Sequence, residues 1–125
     1  MNNLGPGYQV NEHCIDRRLN DFSSRGAAQS NVDSCLRATN YVAAWNCIEG
    51  SPHSAGHGGV GEQMLNPISS PGDPLFYMHH TWLDKIWWDW QELDPETRLT
   101  AIGGNNEMPP AFADGLFGNR PADVP

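Results

Sequence analysis

The sequence has few cationic side chains, no long apolar run and no leader-like start. It contains 7 Lys and Arg residues against 15 Asp and Glu residues, which gives a formal charge of −8 at pH 7. An acidic surface repels phosphate backbones, so we expect no nucleic-acid partner. No apolar run approaches the roughly 20 residues that a membrane-spanning helix needs, so we also expect no membrane association.

The N-terminus lacks a basic segment followed by an apolar one, so it is not typical of a signal peptide. We therefore expect either a cytosolic protein or part of a longer chain. The 125 residues are enough for one modest domain. With 38% hydrophobic and 18% charged residues, the composition is that of a globular protein.

The chain has three cysteines, Cys14, Cys35 and Cys47. Their spacing matches no zinc knuckle, and an odd number leaves at least one thiol free or paired outside the chain. We interpret them as small buried residues, with one disulfide as the alternative in an oxidising compartment. The His-Glu-x-x-His spacing of zinc hydrolases is also absent, which weakens a hydrolytic zinc enzyme as an interpretation.

Apolar residues recur at helical spacing in three segments of the first half. Residues 13–22 are predicted to be a short helix, because Ile15, Leu19 and Phe22 are spaced by four and three. A second helix is predicted to begin within residues 31–34. A third covers residues 41–48 and is expected to stop at Gly50.

The second half is predicted to hold one short and one long helix. Pro52 fits the first turn of a short helix with Ser51 as its cap, and residues 61–72 read as a loop. Asp73-Pro74 is a strong helix start, and the long helix runs to about Leu93 before Asp94-Pro95 ends it. Its apolar face carries Leu75, His79, Trp82, Leu83, Ile86 and Trp90.

These patterns predict an all-α fold with long loops. Residues 1–104 are expected to form the domain, and residues 105–125, rich in Gly, Pro and Asn, an extended or disordered tail.

His53 and His57 are four residues apart, so on a helical turn they project from the same face. Imidazole is the commonest protein ligand of zinc, copper, iron and nickel, but such a pair needs a third ligand. Taken alone, the pair is better interpreted as two solvent-facing histidines in a flexible Gly-rich loop, because such pairs arise by chance.

The His79-His80 pair can supply the third ligand. Adjacent helical residues point about 100° apart, so both rings cannot easily bind one metal. One of the two is therefore a ligand candidate, and the other packs or supports it; helical periodicity does not choose between them. Asp84, four residues after His80, can orient a ligand as a hydrogen-bond acceptor.

The stretch that contains this pair resembles the second copper signature of tyrosinases and catechol oxidases, the type-3 copper proteins. It reads Asp73-Pro-x-Phe-x-x-His79-His80-x-x-x-Asp84-Lys-x-Trp-Trp-x-Trp90-Gln91. His53-Ser-Ala-Gly-His57 and the following Gly58-Gly59-Val60-Gly61 are similar to the helix that carries the first two ligands of that copper. The resemblance spans roughly residues 4–104 and is to fungal members.

The resemblance implies that His53, His57 and His80 bind the copper ion called B, with His79 and Asp84 beside them. It implies half of the family's four-helix bundle as the fold. The implied activity is oxidation of o-diphenols, and in some members monophenols, to o-quinones with O₂.

The resemblance also implies roles for residues close to the ligands. Glu49, four residues before the first ligand, would hold a water near the phenol hydroxyl, and Ser54 and Gly58 would tune phenol deprotonation and docking. Many tyrosinases have Asn at the position of Ser54. Because Ser is a weaker anchor for a basic water, the sequence favours catechol oxidation over monophenol hydroxylation.

The family uses two copper ions and six histidine ligands, whereas this chain contains five histidines in all. Only His13 precedes His53, so one copy of this sequence cannot build the dinuclear site. We expect that the chain is part of a longer oxidase, that another chain or segment supplies the copper A site, or that the chain is a mononuclear metal-binding or interaction module without turnover. The full-length family member can be a secreted protein.

Overall fold

The computed structural model describes residues 12–104, and their regular structure is entirely helical. In chain order the helices are α1 (Asp21–Ser24), α2 (Gln29–Leu36), α3 (Tyr41–Ile48), α4 (Ser54–Val60), α5 (Pro74–Glu92) and α6 (Pro95–Arg98). The predicted all-α fold is confirmed for these residues. Among the helices of residues 12–104, none combines the length and the apolar character of a membrane-spanning segment. The predicted tail, residues 105–125, lies outside the described residues.

Helix α5 is the longest element and begins where the sequence predicts. The buried carboxylate of Asp73 accepts a hydrogen bond from the backbone N–H of Leu75 at 2.9 Å, and Pro74 occupies the first turn. Both features stabilise a helix N-terminus, where the first N–H groups have no acceptor within the helix. Asp73 supplies an acceptor for one of them, and Pro74 has no N–H that needs an acceptor. The helix ends at Glu92, one residue before the predicted end.

The core lies where α2 and α3 pack against one face of α5. It comprises Val32, Cys35, Ile48, Leu83 and Ile86. Beside it, the fully buried Trp90 donates its indole N–H to the carbonyl oxygen of Ala38 at 2.8 Å. The guanidinium of Arg98 lies 4.7 Å from the centre of the Trp90 ring and forms a cation–π contact with it.

The cysteines include the one disulfide that the sequence left open, but Cys14 is not the small buried residue that we expected. Cys35 on α2 and Cys47 on α3 form a disulfide, whereas Cys14 is free and exposed. The two paired cysteines lie near the C-terminal ends of α2 and α3, whose packing brings their Cα atoms to 5.3 Å. The sequence carried no information on which thiols meet.

Replacing both paired cysteines (Cys35→Ala with Cys47→Ala) is expected to lower the free energy of unfolding by about 3 kcal/mol, the loop-entropy value for a loop of this length. The separation is 12 residues. Urea titration of the oxidised protein measures the effect. Cys14→Ala is the matched control and is expected to leave the unfolding midpoint unchanged, because that side chain is exposed and unpaired. Equal loss in both variants would contradict a stabilising disulfide.

The predicted helix over residues 13–22 is wrong. Residues 12–20, which we call the strap, are non-helical, and only Asp21–Ser24 form a helical turn. The backbone N–H groups of Arg18 and Asn20 donate to the carbonyl oxygens of Val60 and Gly59, both at 2.9 Å. Long-range hydrogen bonds at the end of α4 therefore replace the local bonds of a helix.

Gly61 permits the close approach of the strap to the end of α4. Its φ of 75° lies in the left-handed region, and a Cβ atom there would sit 2.5 Å from the carbonyl oxygen of Arg18. Both the backbone conformation and the lack of space require glycine at this position.

The strap also contacts the start of α5 through an ion pair. Arg17 Nε and Nη2 donate to the two carboxylate oxygens of Asp73, each at 2.8 Å. This bidentate hydrogen bond holds the pKa of Asp73 below its ordinary value, although burial of the carboxyl acts in the opposite direction. The strap thus ties the end of α4 to the start of α5.

Stability at low pH is expected to depend on this pair. Because the folded pKa of Asp73 is lowered, its carboxylate stabilises the fold above the unfolded pKa of about 3.9, and that stability is lost as the pH falls through the folded value. Arg17→Ala is expected to shift the acid-unfolding midpoint to higher pH. Circular dichroism between pH 2 and 6 measures it. Arg18→Ala removes the same charge without breaking the pair, and an equal shift there would contradict the prediction.

The segment between α3 and α4 is continuous rather than broken. The predicted stop at Gly50 and the cap at Ser51 are both wrong, because a π-helical turn over Glu49–His53 joins the two helices with Pro52 inside it. Proline has no N–H to donate to the preceding turn, and its ring crowds a carbonyl oxygen there. The wider π turn leaves room for the ring and does not need that hydrogen bond. The hydroxyl of Ser51 instead donates to the carbonyl oxygen of Gly26 at 3.0 Å.

Candidate metal centre

Three imidazoles from two separate parts of the chain converge on one point. The Nε2 atom of His57 lies 3.1 Å from Nε2 of His53 and 3.3 Å from Nε2 of His80. His53 ends the π turn, His57 follows one helical turn later on α4, and His80 lies in the first half of α5. Within residues 12–104 these three form the group of His, Cys, Asp and Glu side chains that can hold a metal ion.

The spacing of the three nitrogens fits a transition-metal ion. Histidine nitrogens bind such ions at about 2.0–2.1 Å, which places tetrahedral ligand nitrogens roughly 3.3 Å apart. The separations involving His57, 3.1 and 3.3 Å, agree with that value. An all-imidazole donor set suits copper, zinc, iron and nickel rather than magnesium or calcium, which prefer oxygen ligands.

A hydrogen bond on the side of the ring away from the cluster fixes the orientation of His57. Its Nδ1 donates to the carbonyl oxygen of Met64 at 2.5 Å, so in the neutral ring the lone pair is at Nε2 and faces the cluster. Burial lowers the pKa of His57, and burial followed by the neighbouring His53 lowers that of His80. Both effects favour the neutral form that binds metal.

His53 meets a carboxylate on its other side. Its Nδ1 lies 3.0 Å from a carboxylate oxygen of Glu49, one helical turn earlier. The contact is close but poorly aligned, because the same Nδ1 has no well-directed hydrogen bond within the described residues. Glu49 is therefore near enough to bias the orientation of His53 without fixing it by a strong bond.

The structure separates the two adjacent histidines of α5. His80 joins the cluster, whereas the Nε2 of His79 donates to the carbonyl oxygen of His53 at 3.0 Å. Burial lowers the pKa of His79 to about 4, so its ring is neutral at ordinary pH. Sequence periodicity left the choice between these two residues open, and the packing of α4 against α5 makes it.

The other candidate residues lie close to the cluster. The hydroxyl of Ser54 donates to the carbonyl oxygen of Glu49 at 2.9 Å. Asp84 shares with His80 the wall of an open pocket of about 320 Å³. In the described part of the chain it makes no hydrogen bond to either histidine of α5. Gly58 packs against Ser23 of α1.

Comparison with known proteins identifies the family. Residues 1–93 match the common central domain of tyrosinase. The chain belongs to the tyrosinase family. Membership in this family implies copper, and the three-histidine cluster could hold a metal ion, with a donor set and spacing that suit copper.

Curated relatives of this tyrosinase-family chain come from fungi and bacteria. Tyrosinase P of Aspergillus terreus is 32% identical over 108 residues, which cover 79% of this chain and 30% of that protein. Tyrosinase ustQ of Aspergillus flavus is 32% identical over 124 residues, 90% of this chain and 34% of that protein. A tyrosinase of Streptomyces antibioticus is 35% identical over 103 residues, 72% and 37% respectively.

The chain therefore spans about a third of the length of these tyrosinases. No solved structure matches it significantly.

Sequence reasoning missed two partners of the histidines in this tyrosinase-family site. The ring of Phe76 stacks on His80, with centroids 4.0 Å apart. Phe76 lies four residues before His80, and that helical spacing could have predicted the contact. The carbonyl of Met64, which orients His57, had no such signal, because any residue type supplies a carbonyl. Only the path of the loop after α4 brings it to the ring.

Proposed function

We propose that this chain carries the copper B site of a phenol oxidase that converts o-diphenols to o-quinones with O₂. The observation that supports this most directly is the convergence of three imidazole Nε2 atoms from α4, the π turn before it and α5. In this proposal His53, His57 and His80 hold one copper ion. Copper supplies the redox chemistry, in which two diphenols are oxidised while one O₂ is reduced to two waters.

The three histidines differ in how firmly the protein holds them. His57 is oriented by the Met64 carbonyl, and His80 by the face of Phe76, so both rings are held before any metal arrives. His53 has only the loosely aligned Glu49 carboxylate at Nδ1. Rigidly held ligands lower the entropy cost of binding, so we assign His57 and His80 the larger share of the preorganisation.

Glu49 is the proposed base for the phenolic proton. Its carboxylate is more than half exposed and lines the pocket together with His53 and His80. A general base must come within about 2.6–3.2 Å of the proton it removes, directly or through one water. A diphenol hydroxyl in the pocket can meet that requirement, either at the carboxylate or through a water held by it.

Ser54 is proposed to hold that water, as an acceptor only. Its hydroxyl hydrogen is already used by the Glu49 carbonyl oxygen, so only the oxygen lone pairs remain for a water. An Asn side chain has a separate oxygen and two N–H donors and would anchor a basic water more firmly. This difference supports diphenol oxidation over monophenol hydroxylation as the proposed activity.

The pocket beside the copper ligands is suited to an aromatic ring. Its apolar wall is formed by Trp45, Ile48, Leu83 and Trp87. Trp45 and Trp87 meet edge to face with ring centroids 5.9 Å apart and an interplanar angle of 82°, so the two rings form a corner of the wall. We propose that the phenolic substrate lies against this wall with its hydroxyl groups towards His53 and His80.

Turnover in this proposal needs three further histidines from another chain or segment. The five histidines of this chain include His79, whose ring is bonded to the His53 carbonyl, and His13, which contacts Gln63 in the loop after α4. The test is a catechol oxidation assay on the copper-loaded chain, alone and after addition of the N-terminal portion of a tyrosinase. Activity is expected only with the added portion. Full activity with one copper per isolated chain would contradict the proposal.

A second candidate is a mononuclear metal-binding module without turnover. It is favoured by the presence of a single three-histidine group among residues 12–104. It predicts one copper per chain, as the main proposal does, but no catechol oxidation under any complementation. The complementation assay therefore separates the two candidates.

A further inference from the structure

The ring of His79 is wedged between the copper-binding part of α4 and the apolar side of α5. Its Nε2 lies 3.0 Å from the carbonyl oxygen of His53. The same ring lies parallel to that of His53, with centroids 5.8 Å apart and an interplanar angle of 4°. It meets the ring of His57 edge to face at 5.1 Å and 88°. One side chain therefore touches both histidines contributed by the α4 side.

Gly56 is what makes room for this ring. A Cβ atom at Gly56 would lie 2.1 Å from Cε1, 2.4 Å from Nδ1 and 2.5 Å from Nε2 of His79. No side chain fits at these distances, so the imidazole lies directly on the α4 backbone at Gly56, between His53 and His57 in the sequence. Glycine costs helix stability relative to alanine, and here the space it leaves is filled by the His79 ring.

We infer that His79 is a positioning residue for the copper site, and that Gly56 is retained to admit its ring. The Nε2–H of His79 donates to the His53 carbonyl oxygen, and the His79 ring limits the rotation of the His53 and His57 rings that it contacts. The need is greatest at His53, because Glu49 makes only a poorly aligned contact with its Nδ1. This inference rests on the proposed copper site and adds a role for a residue that does not contact the metal.

The first test compares three replacements of His79 by Cu(II) titration and by the electron paramagnetic resonance spectrum of the Cu(II)-loaded chain. His79→Gln can place an amide N–H near the position of Nε2, whereas His79→Leu fills similar space without a donor. We expect His79→Leu and His79→Ala to weaken Cu(II) binding by about 10–100-fold, as for loss of a ligand-orienting partner, and to change the copper hyperfine splitting. His79→Gln is expected to recover most of both.

Each outcome of this test decides a different point. If the wild-type chain binds no Cu(II), the proposed copper site fails before His79 is tested. If it binds Cu(II) and the Leu and Gln variants behave alike, the N–H has no positioning role and His79 only fills space. Met78→Leu, at an exposed position of the same helix, is the control and is expected to leave affinity and spectrum unchanged.

The second test is a double-mutant cycle between Gly56 and His79. In the wild-type background Gly56→Ala forces the imidazole away, so Cu(II) affinity is expected to fall by about the same factor as in His79→Leu. In the His79→Ala background the ring is gone, and the added methyl group of Gly56→Ala is expected to have little further effect. Equal losses in the two backgrounds would overturn the inference that Gly56 acts through His79. Far-UV circular dichroism of each variant establishes that the helices remain intact.

Discussion

His57→Ala is expected to abolish high-affinity copper binding. The Nε2 atom of His57 lies 3.1 Å from Nε2 of His53 and 3.3 Å from Nε2 of His80. Without it only two nitrogens remain, one from each side of the site. The loss in Cu(II) affinity should exceed the roughly 10–100-fold typical of losing a group that merely orients a ligand. Competition with a chelator of known affinity measures the change.

His13→Ala is the matched control for this variant. Its ring contacts the side chain of Gln63 at 3.2 Å and lies outside the three-nitrogen cluster. The same imidazole is removed from the chain, so a nonspecific affinity of histidine for copper is lost equally in both variants. Unchanged Cu(II) affinity in His57→Ala, or an equal loss in His13→Ala, would refute the assignment of the site.

Trp90→Ala is expected to lower the free energy of unfolding by about 3–5 kcal/mol, the range for truncating a large buried aromatic side chain. Trp90 is fully buried, and its indole N–H satisfies the carbonyl oxygen of Ala38 at 2.8 Å. The guanidinium of Arg98 covers its ring at 4.7 Å. Truncation leaves a cavity, an unpaired carbonyl and a cation without its aromatic partner, and all three effects destabilise the fold.

Trp88→Ala removes the same number of atoms from the same helix at a position that is 48% exposed. It is expected to change stability much less than Trp90→Ala, because less apolar area leaves a packed environment. Urea titration followed by circular dichroism is the measurement, since tryptophan fluorescence changes with either substitution. Similar unfolding midpoints for the two variants would contradict the packing of α5 described above.

The elements that the sequence predicted well are those stabilised by local interactions. The start of α5 depends on Asp73 and Pro74, whose effects act within the first helical turn. The buried residues Leu83, Ile86 and Trp90 follow one helical face. The start of α3 at Tyr41 was also predicted, and Asn40 caps it by accepting a hydrogen bond from the N–H of Ala43 at 3.0 Å.

The strap shows where local patterns failed. Ile15, Leu19 and Phe22 have helical spacing, yet all three are exposed and residues 12–20 are non-helical. The free energy of a helix this short is marginal, so a few long-range interactions can outweigh it. Here those interactions are the two backbone hydrogen bonds to the end of α4 and the bidentate pair of Arg17 with Asp73.

The candidate site was predictable in its residue types but not in its geometry. The spacing of His53 and His57 placed them on one face, and the resemblance to type-3 copper proteins implied His80 as the third ligand. The part played by His79 depends on Gly56, a residue on another helix that leaves space for its ring. The disulfide likewise depends on packing that brings the C-terminal ends of α2 and α3 together.

Amino-acid order by itself determined the helical class and the extent of α5, and it placed His53 and His57 on one helical face, because capping and helical periodicity act over a few residues. Tertiary structure alone decided that residues 12–20 form a strap, that Pro52 lies inside a continuous helix, and that the imidazoles of His79 and His80 point to different partners. These features depend on contacts between residues far apart in the chain, such as Arg17 with Asp73 and His79 with Gly56. No local pattern records the energy of such contacts, since it exists only once the two segments are packed together.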